Sequence, residues 1–148
     1  MSIQDQINID IKDAMKAKNV DKLAALRAVK SSIILEATKS GQSIVNDVIC
    51  LKLITKLVKQ RKDAAEIYIK QERKDLADDE MNQLSYLEVY LPEQINEDQI
   101  RKEIKQVINQ TGASNQADIG RCIGITIKRI GHKADGSLIS KLVKEMLS

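Results

Sequence analysis

The sequence predicts an all-α protein of two helical bundles, a four-helix N-terminal domain over residues 1–92 and a three-helix C-terminal domain over residues 93–148. Three observations predict it. Apolar residues recur at helical spacing along nearly the whole chain. Glycine occurs six times and proline once, too rarely for a turn-rich β protein. With no Phe, no Trp and only three Tyr, the core has to be built from Ile, Leu, Val and Ala.

Ile3, Ile7, Ile11, Ala14 and Met15 mark the first helix. Asp21 is placed to cap the second, whose inner face carries Leu23, Leu26, Val29, Ile33 and Ala37 and which Gly41 stops. Asn46 caps a long third helix running to about Gln71. A fourth runs from about Leu76 to Leu91 and ends at Pro92, because the residue before a proline avoids helical angles. Pro92 to Asn96 is the expected hinge between the domains. Asn96 and Gln99 have the spacing of a capping box for the fifth helix, which carries Ile100, Ile104, Val107 and Ile108 and stops at Gly112. The sixth spans roughly 117–130. The last starts at Asp135 or Ser137 and uses Leu138, Ile139, Leu142, Val143 and Met146.

Composition excludes several function classes. Charged residues make up 30% of the chain but are mixed in sign, and the net charge of +3 permits a nucleic-acid or acidic partner without demanding one. Cys50 and Cys122 lie far apart with no CxxC or Cys/His cluster, so no disulfide and no metal site is expected, and they read as small apolar helix residues in a reducing compartment. No apolar run approaches the ~18 residues of a membrane span, and the N-terminus does not read as a signal peptide. A cytoplasmic protein, or a mature organellar one, is the expectation. No Gly-rich phosphate loop, nucleophile elbow or activated thiolate is recognisable, so neither catalytic residue nor cofactor is assigned.

Two helices carry candidate binding residues. Projected at 3.6 residues per turn, the apolar side chains of the third helix cover roughly 200° of its circumference, more than a surface helix needs. Lys52, Lys56, Lys59, Lys62 and Lys70 share the opposite arc with Asp63 and Glu66. Arg61 projects into the apolar arc. It is either held at a cleft for a phosphate or carboxylate ligand, or is a structural residue tied to an acid such as Glu36 or Glu80. In the sixth helix Gly120 and Gly124 share a strip one turn apart. Each mid-helix glycine costs roughly 1 kcal/mol against alanine, so the pair calls for a close approach by a neighbouring helix or by a ligand backbone. Arg121 and Lys128 run beside the strip, Arg129 lies further round, and Ile119, Ile123, Ile127 and Ile130 are expected to face the core. Lys133 in the following turn adds to the positive surface. A glycine strip flanked by cations suits a phosphodiester backbone.

The order and spacing of short motifs resemble the GatB/YqeY family along essentially the whole chain. They are Leu26-Arg27, Lys59-Gln60-Arg61, Arg73-Lys74-Asp75-Leu76-Ala77 with Glu80, Tyr90-Leu91-Pro92, Asp118-Ile119-Gly120-Arg121 with Gly124, and Lys133-Ala134-Asp135-Gly136. The resemblance is to the stand-alone YqeY-like branch. It implies two helical bundles, the second similar to the tail of the B subunit of the glutamine-dependent tRNA amidotransferase, a carbon–nitrogen ligase. That tail is expected to contact tRNA, while the catalytic parts of the amidotransferase have no counterpart here. The chain departs from the family pattern at several places: Glu72 occupies a position usually held by glycine, Gln83 replaces a usual acid, and Ala134-Asp135-Gly136 stands where the amidotransferase tail typically has Asn-Pro. The resulting expectation is a protein that binds tRNA or another structured RNA and lacks its own active site. Arg121, Lys128, Arg129 and Lys133, helped by Lys59 and Arg61, are the expected phosphate contacts. The alternative is an adaptor that docks on an amidotransferase or another translation-linked protein.

Overall fold

Seven α-helices and no strand make up the computed structural model, which describes residues 1–148. The helices are α1 (Ile3–Lys16), α2 (Val20–Ser40), α3 (Asp47–Lys70), α4 (Lys74–Glu88), α5 (Glu97–Thr111), α6 (Ile119–Ile130) and α7 (Gly136–Leu147). Short 3-10 turns at Gln116–Asp118 and Gly131–Lys133 bracket α6. The chain separates into two compact units, Met1–Leu91 and Pro92–Ser148.

Side-chain caps start most of the helices, each satisfying an amide that has no partner within the helix. Ser2, Asn46 and Asn96 each accept from the amide three residues on, and Gln99 returns the bond to the Asn96 amide, completing the capping box. Asp135 caps α7 by accepting from Ser137 N. Gly41 and Gly112 end α2 and α5 with φ of 71° and 69°, left-handed values that cost glycine nothing.

The N-terminal unit closes around Ile7, Leu26, Val29, Ile33, Cys50, Ile54 and Leu87, each at most 2% exposed. Burying a side chain of this kind is worth roughly 1.5–3 kcal/mol. Polar contacts pin the helix ends around that core. The Tyr90 hydroxyl donates to Asp10, Asn19 Nδ2 donates to Tyr86 Oη at 3.2 Å, and Asn82 Nδ2 donates to Asp21 Oδ2 at 2.6 Å. Burial and the Asp10 carboxylate together push the Tyr90 phenol well above its ordinary pKa. The C-terminal unit has its own core of Ile100, Ile104, Val107, Cys122, Ile139, Leu142 and Val143.

Several boundaries differ from the sequence expectation, among them the start of α6, which a 3-10 turn delays to Ile119. Asn19, not Asp21, caps α2: its Oδ1 accepts from Lys22 N, and Asp21 sits in the first turn, where a carboxylate complements the helix dipole. The helix can start there because Lys18 turns the chain with φ 55°. Helix α4 starts two residues early, at Lys74, and stops at Glu88, well before Pro92. Tyr90 N and Leu91 N bond back to Leu87 O and Glu88 O in tight turns that use up the last carbonyls. The α3–α4 connection turns on Glu72 in the left-handed conformation, φ 59°, where the family pattern has glycine. The sharp turn is therefore kept, with Arg73 N bonding Tyr68 O at 2.8 Å.

Candidate nucleic-acid interface

The buried face of α6 comprises Cys122, Thr126 and Ile130, spaced four residues apart so that they stack along one side of the helix. Thr126 is fully buried because its hydroxyl donates to the Cys122 carbonyl at 2.7 Å. This corrects the expected face of four isoleucines. Ile130 is core, Ile119 and Ile123 are half-buried at its margin, and Ile127 is 38% exposed. A polar residue in the stripe concealed the true register.

With that face inward, Gly120, Gly124, Arg121 and Lys128 turn to solvent together. No atom outside α6 lies within 4 Å of a Cβ built on Gly120 or Gly124. No neighbouring helix of this chain therefore packs against the glycines, and the strip is open backbone on an exposed surface. Arg121 is 56% exposed at its side chain, held by Asp118 at 3.5 Å and by the Thr111 carbonyl at 3.3 Å. These contacts fix the guanidinium beside the strip without covering it. Lys128 is exposed and forms no ion pair.

Arg129 is placed differently. It lies on the α5 flank, where one guanidinium nitrogen meets Glu103 at 3.0 Å and Gln106 at 2.6 Å and the other reaches Gln110 at 3.4 Å. Its charge is largely spent in joining α6 to α5. Lys133 is exposed in the 3-10 turn after α6, and its carbonyl accepts from Ile95 N at 3.0 Å. Pro92 is half-buried, and its carbonyl accepts from Gln94 Nε2 at 2.8 Å.

Lys59 and Arg61 belong to the N-terminal unit. Lys59 is exposed on α3. Arg61 is half-buried, as its place in the apolar arc requires, but its partner is neither Glu36 nor Glu80. Its Nε and Nη2 donate to the Gln83 side-chain oxygen at 3.3 and 3.1 Å, and Nη1 donates to the Leu57 carbonyl at 3.3 Å. Neutral oxygens take its hydrogen bonds, and no carboxylate lies within ion-pair distance. Which α4 side chain faces Arg61 depends on the pairing of α3 with α4, and neither helix reveals that alone.

No cluster of three His, Cys, Asp or Glu converges on one point, and both cysteines are buried. Burial, with a smaller push from Asp47, raises the Cys50 thiol above its ordinary pKa.

A family model described as Yqey-like protein matches residues 4–147. The chain belongs to the YqeY-like family. Its relatives include a Pyrenophora tritici-repentis protein named altered inheritance of mitochondria protein 41, mitochondrial. That protein is 28% identical over 145 residues, or 96% of this chain and 79% of the relative. An uncharacterized protein of Schizosaccharomyces pombe is 35% identical over 92 residues, covering 62% of this chain and 74% of its own length. A Kluyveromyces lactis protein, also named altered inheritance of mitochondria protein 41, is 32% identical over 81 residues, 55% of this YqeY-like chain and 44% of the relative. Two of these three relatives carry the word mitochondrial in their names. No helix of this YqeY-like protein is long and apolar enough to cross a membrane.

Proposed function

We propose that this YqeY-like protein binds structured RNA, with tRNA the first candidate, through the outward face of α6. The observation that carries the proposal is the pairing of an open glycine strip with Arg121 and Lys128 beside it. Bare backbone lets a phosphate chain come close, and the flanking cations neutralise it. Recognition is of shape and phosphate, since the face offers no aromatic side chain on which a base could stack. Lys133, in the turn that follows α6, extends the surface within the same unit. The two units act as separately folded domains joined at Pro92, in a cytoplasmic or organellar-matrix setting.

Binding of labelled bulk tRNA over a salt series tests this. A log–log slope corresponding to several released counterions is expected, and Arg121→Ala flattens it by about one unit. Arg129→Ala has a smaller effect on the slope, because Glu103 already neutralises that guanidinium. Salt-independent or absent binding, or an unchanged slope in Arg121→Ala, rules the role out. Amidotransferase activity is not part of this reading. Glutamine- and ATP-dependent product from the isolated chain would reinstate it.

A second reading, an adaptor for an amidotransferase or another translation-linked protein, has an observation of its own. Apolar side chains on α2 remain uncovered: Ile34 is 54% and Leu35 67% exposed.

A further inference from the structure

Helix α2 is apolar on more than its inner side. Leu26, Val29 and Ile33 are buried, while Leu35 projects outward. Leu35 stands over a groove of about 280 Å3 between α2 and α3, with Leu53 and Leu57 on the α3 side. Both α3 leucines are half-buried against the edge of the core. Scattered exposed apolar residues need no explanation, but three leucines sharing one groove do.

The rim is cationic. Lys39 and Lys56 line the groove, and Lys52 lies one turn from Lys56 on the same side of α3. None of the three forms an ion pair, and Glu36 is the one carboxylate in the lining. An apolar floor with a rim in which lysines outnumber the single carboxylate is complementary to a helix that has leucine-type side chains on one face and carboxylates along its flanks. RNA suits the floor poorly, since it has no aliphatic surface to bury and no tyrosine lines the groove to stack a base. A lipid surface needs apolar side chains on a protruding face, and here two of the three leucines are recessed.

We propose that the α2–α3 groove of the N-terminal unit docks an acidic amphipathic helix of a partner protein, packing on Leu35, Leu53 and Leu57 with its carboxylates facing Lys39, Lys52 and Lys56. The site gives the adaptor reading a defined partner chemistry. It lies on a different unit from the α6 face, so either can fail without the other.

The test is titration of a fluorescein-labelled synthetic helix of about five turns, with leucines at i, i+3, i+4 and i+7 and glutamates on the flanks, against the full-length protein. A twin peptide carries lysine at every glutamate. The acidic peptide binds, the twin binds at least about tenfold more weakly, and amide NMR shifts cluster at Leu35, Leu53 and Leu57. Leu35→Glu changes a side chain that is already exposed, so it leaves Tm unchanged while weakening binding about tenfold or more. Lys56→Glu weakens the acidic peptide and strengthens its twin. The proposal is overturned if the acidic peptide fails to bind at millimolar protein, if the twins bind equally, or if the shifts map elsewhere. It is equally overturned by Leu35-dependent sedimentation with phosphatidylserine vesicles, which would mark a lipid site. A concentration-dependent dimer abolished by Leu35→Glu would instead mark a contact between copies of this chain.

Discussion

Gly124 sits mid-helix on an exposed surface, with empty space where a Cβ would stand. The fold therefore gains nothing from glycine there, and Gly124→Ala should stabilise the protein by roughly 0.5–1 kcal/mol in urea unfolding. If RNA approaches the strip, the same change weakens tRNA binding. A variant both more stable and weaker in binding separates a ligand role from a packing role, and unchanged binding removes Gly124 from the interface. Glu72 is the opposite case, a bulky residue in a left-handed turn. That conformation costs a side-chain-bearing residue roughly 1–2 kcal/mol, and glycine's extra freedom in the unfolded chain returns roughly 0.4–1 kcal/mol of the relief. Glu72→Gly should accordingly raise stability by about 0.5 kcal/mol, seen as a higher denaturation midpoint. A fall would mean that the Glu72 side chain makes a favourable contact outweighing the strain.

At the scale of the helix, the Tyr90–Asp10 bond joins the chain just after α4 to α1. The folded state holds the Tyr90 phenol neutral at pH values where the unfolded chain ionises it. Its contribution is therefore complete below the ordinary tyrosine value of about 10 and is lost as pH rises beyond it. Tyr90→Phe removes a charge-assisted bond and should cost about 1–2 kcal/mol at neutral pH. The difference between wild type and variant should shrink above about pH 10, and a constant difference across that range would refute the assignment. Helix existence and most helix ends were legible in the sequence, because Asn46, Asn96–Gln99, Gly41 and Gly112 are local signals. Thr126 was missed as a core residue, since its burial depends on a bond to its own helix backbone. The outward placement of Gly120, Gly124, Arg121 and Lys128 was legible from periodicity, whereas Ile127, expected in the core, is 38% exposed. That Arg129 is spent on Glu103 was not legible, because it depends on how close α5 comes to α6. The partner of Arg61 was hidden for the same reason.

Across the whole molecule, two hydrophobic cores are assembled from two separate stretches of chain. A chain truncated after Leu91 should fold with native helix content and unfold in one cooperative transition, measured by circular dichroism. The shorter C-terminal piece is near the size of about 60 residues at which a lone domain becomes marginal, so it should melt lower. A truncated N-terminal piece without a cooperative transition would show that its core depends on residues beyond 91. Each unit also holds one fully buried cysteine, Cys50 in the first and Cys122 in the second. A thiol-trapping reagent can reach either only when its helices part, so the alkylation rate at each sulfur follows the opening of its own unit. The protein carries an internal clock in each half, and peptide mapping of the two adducts reads both in a single unmodified sample.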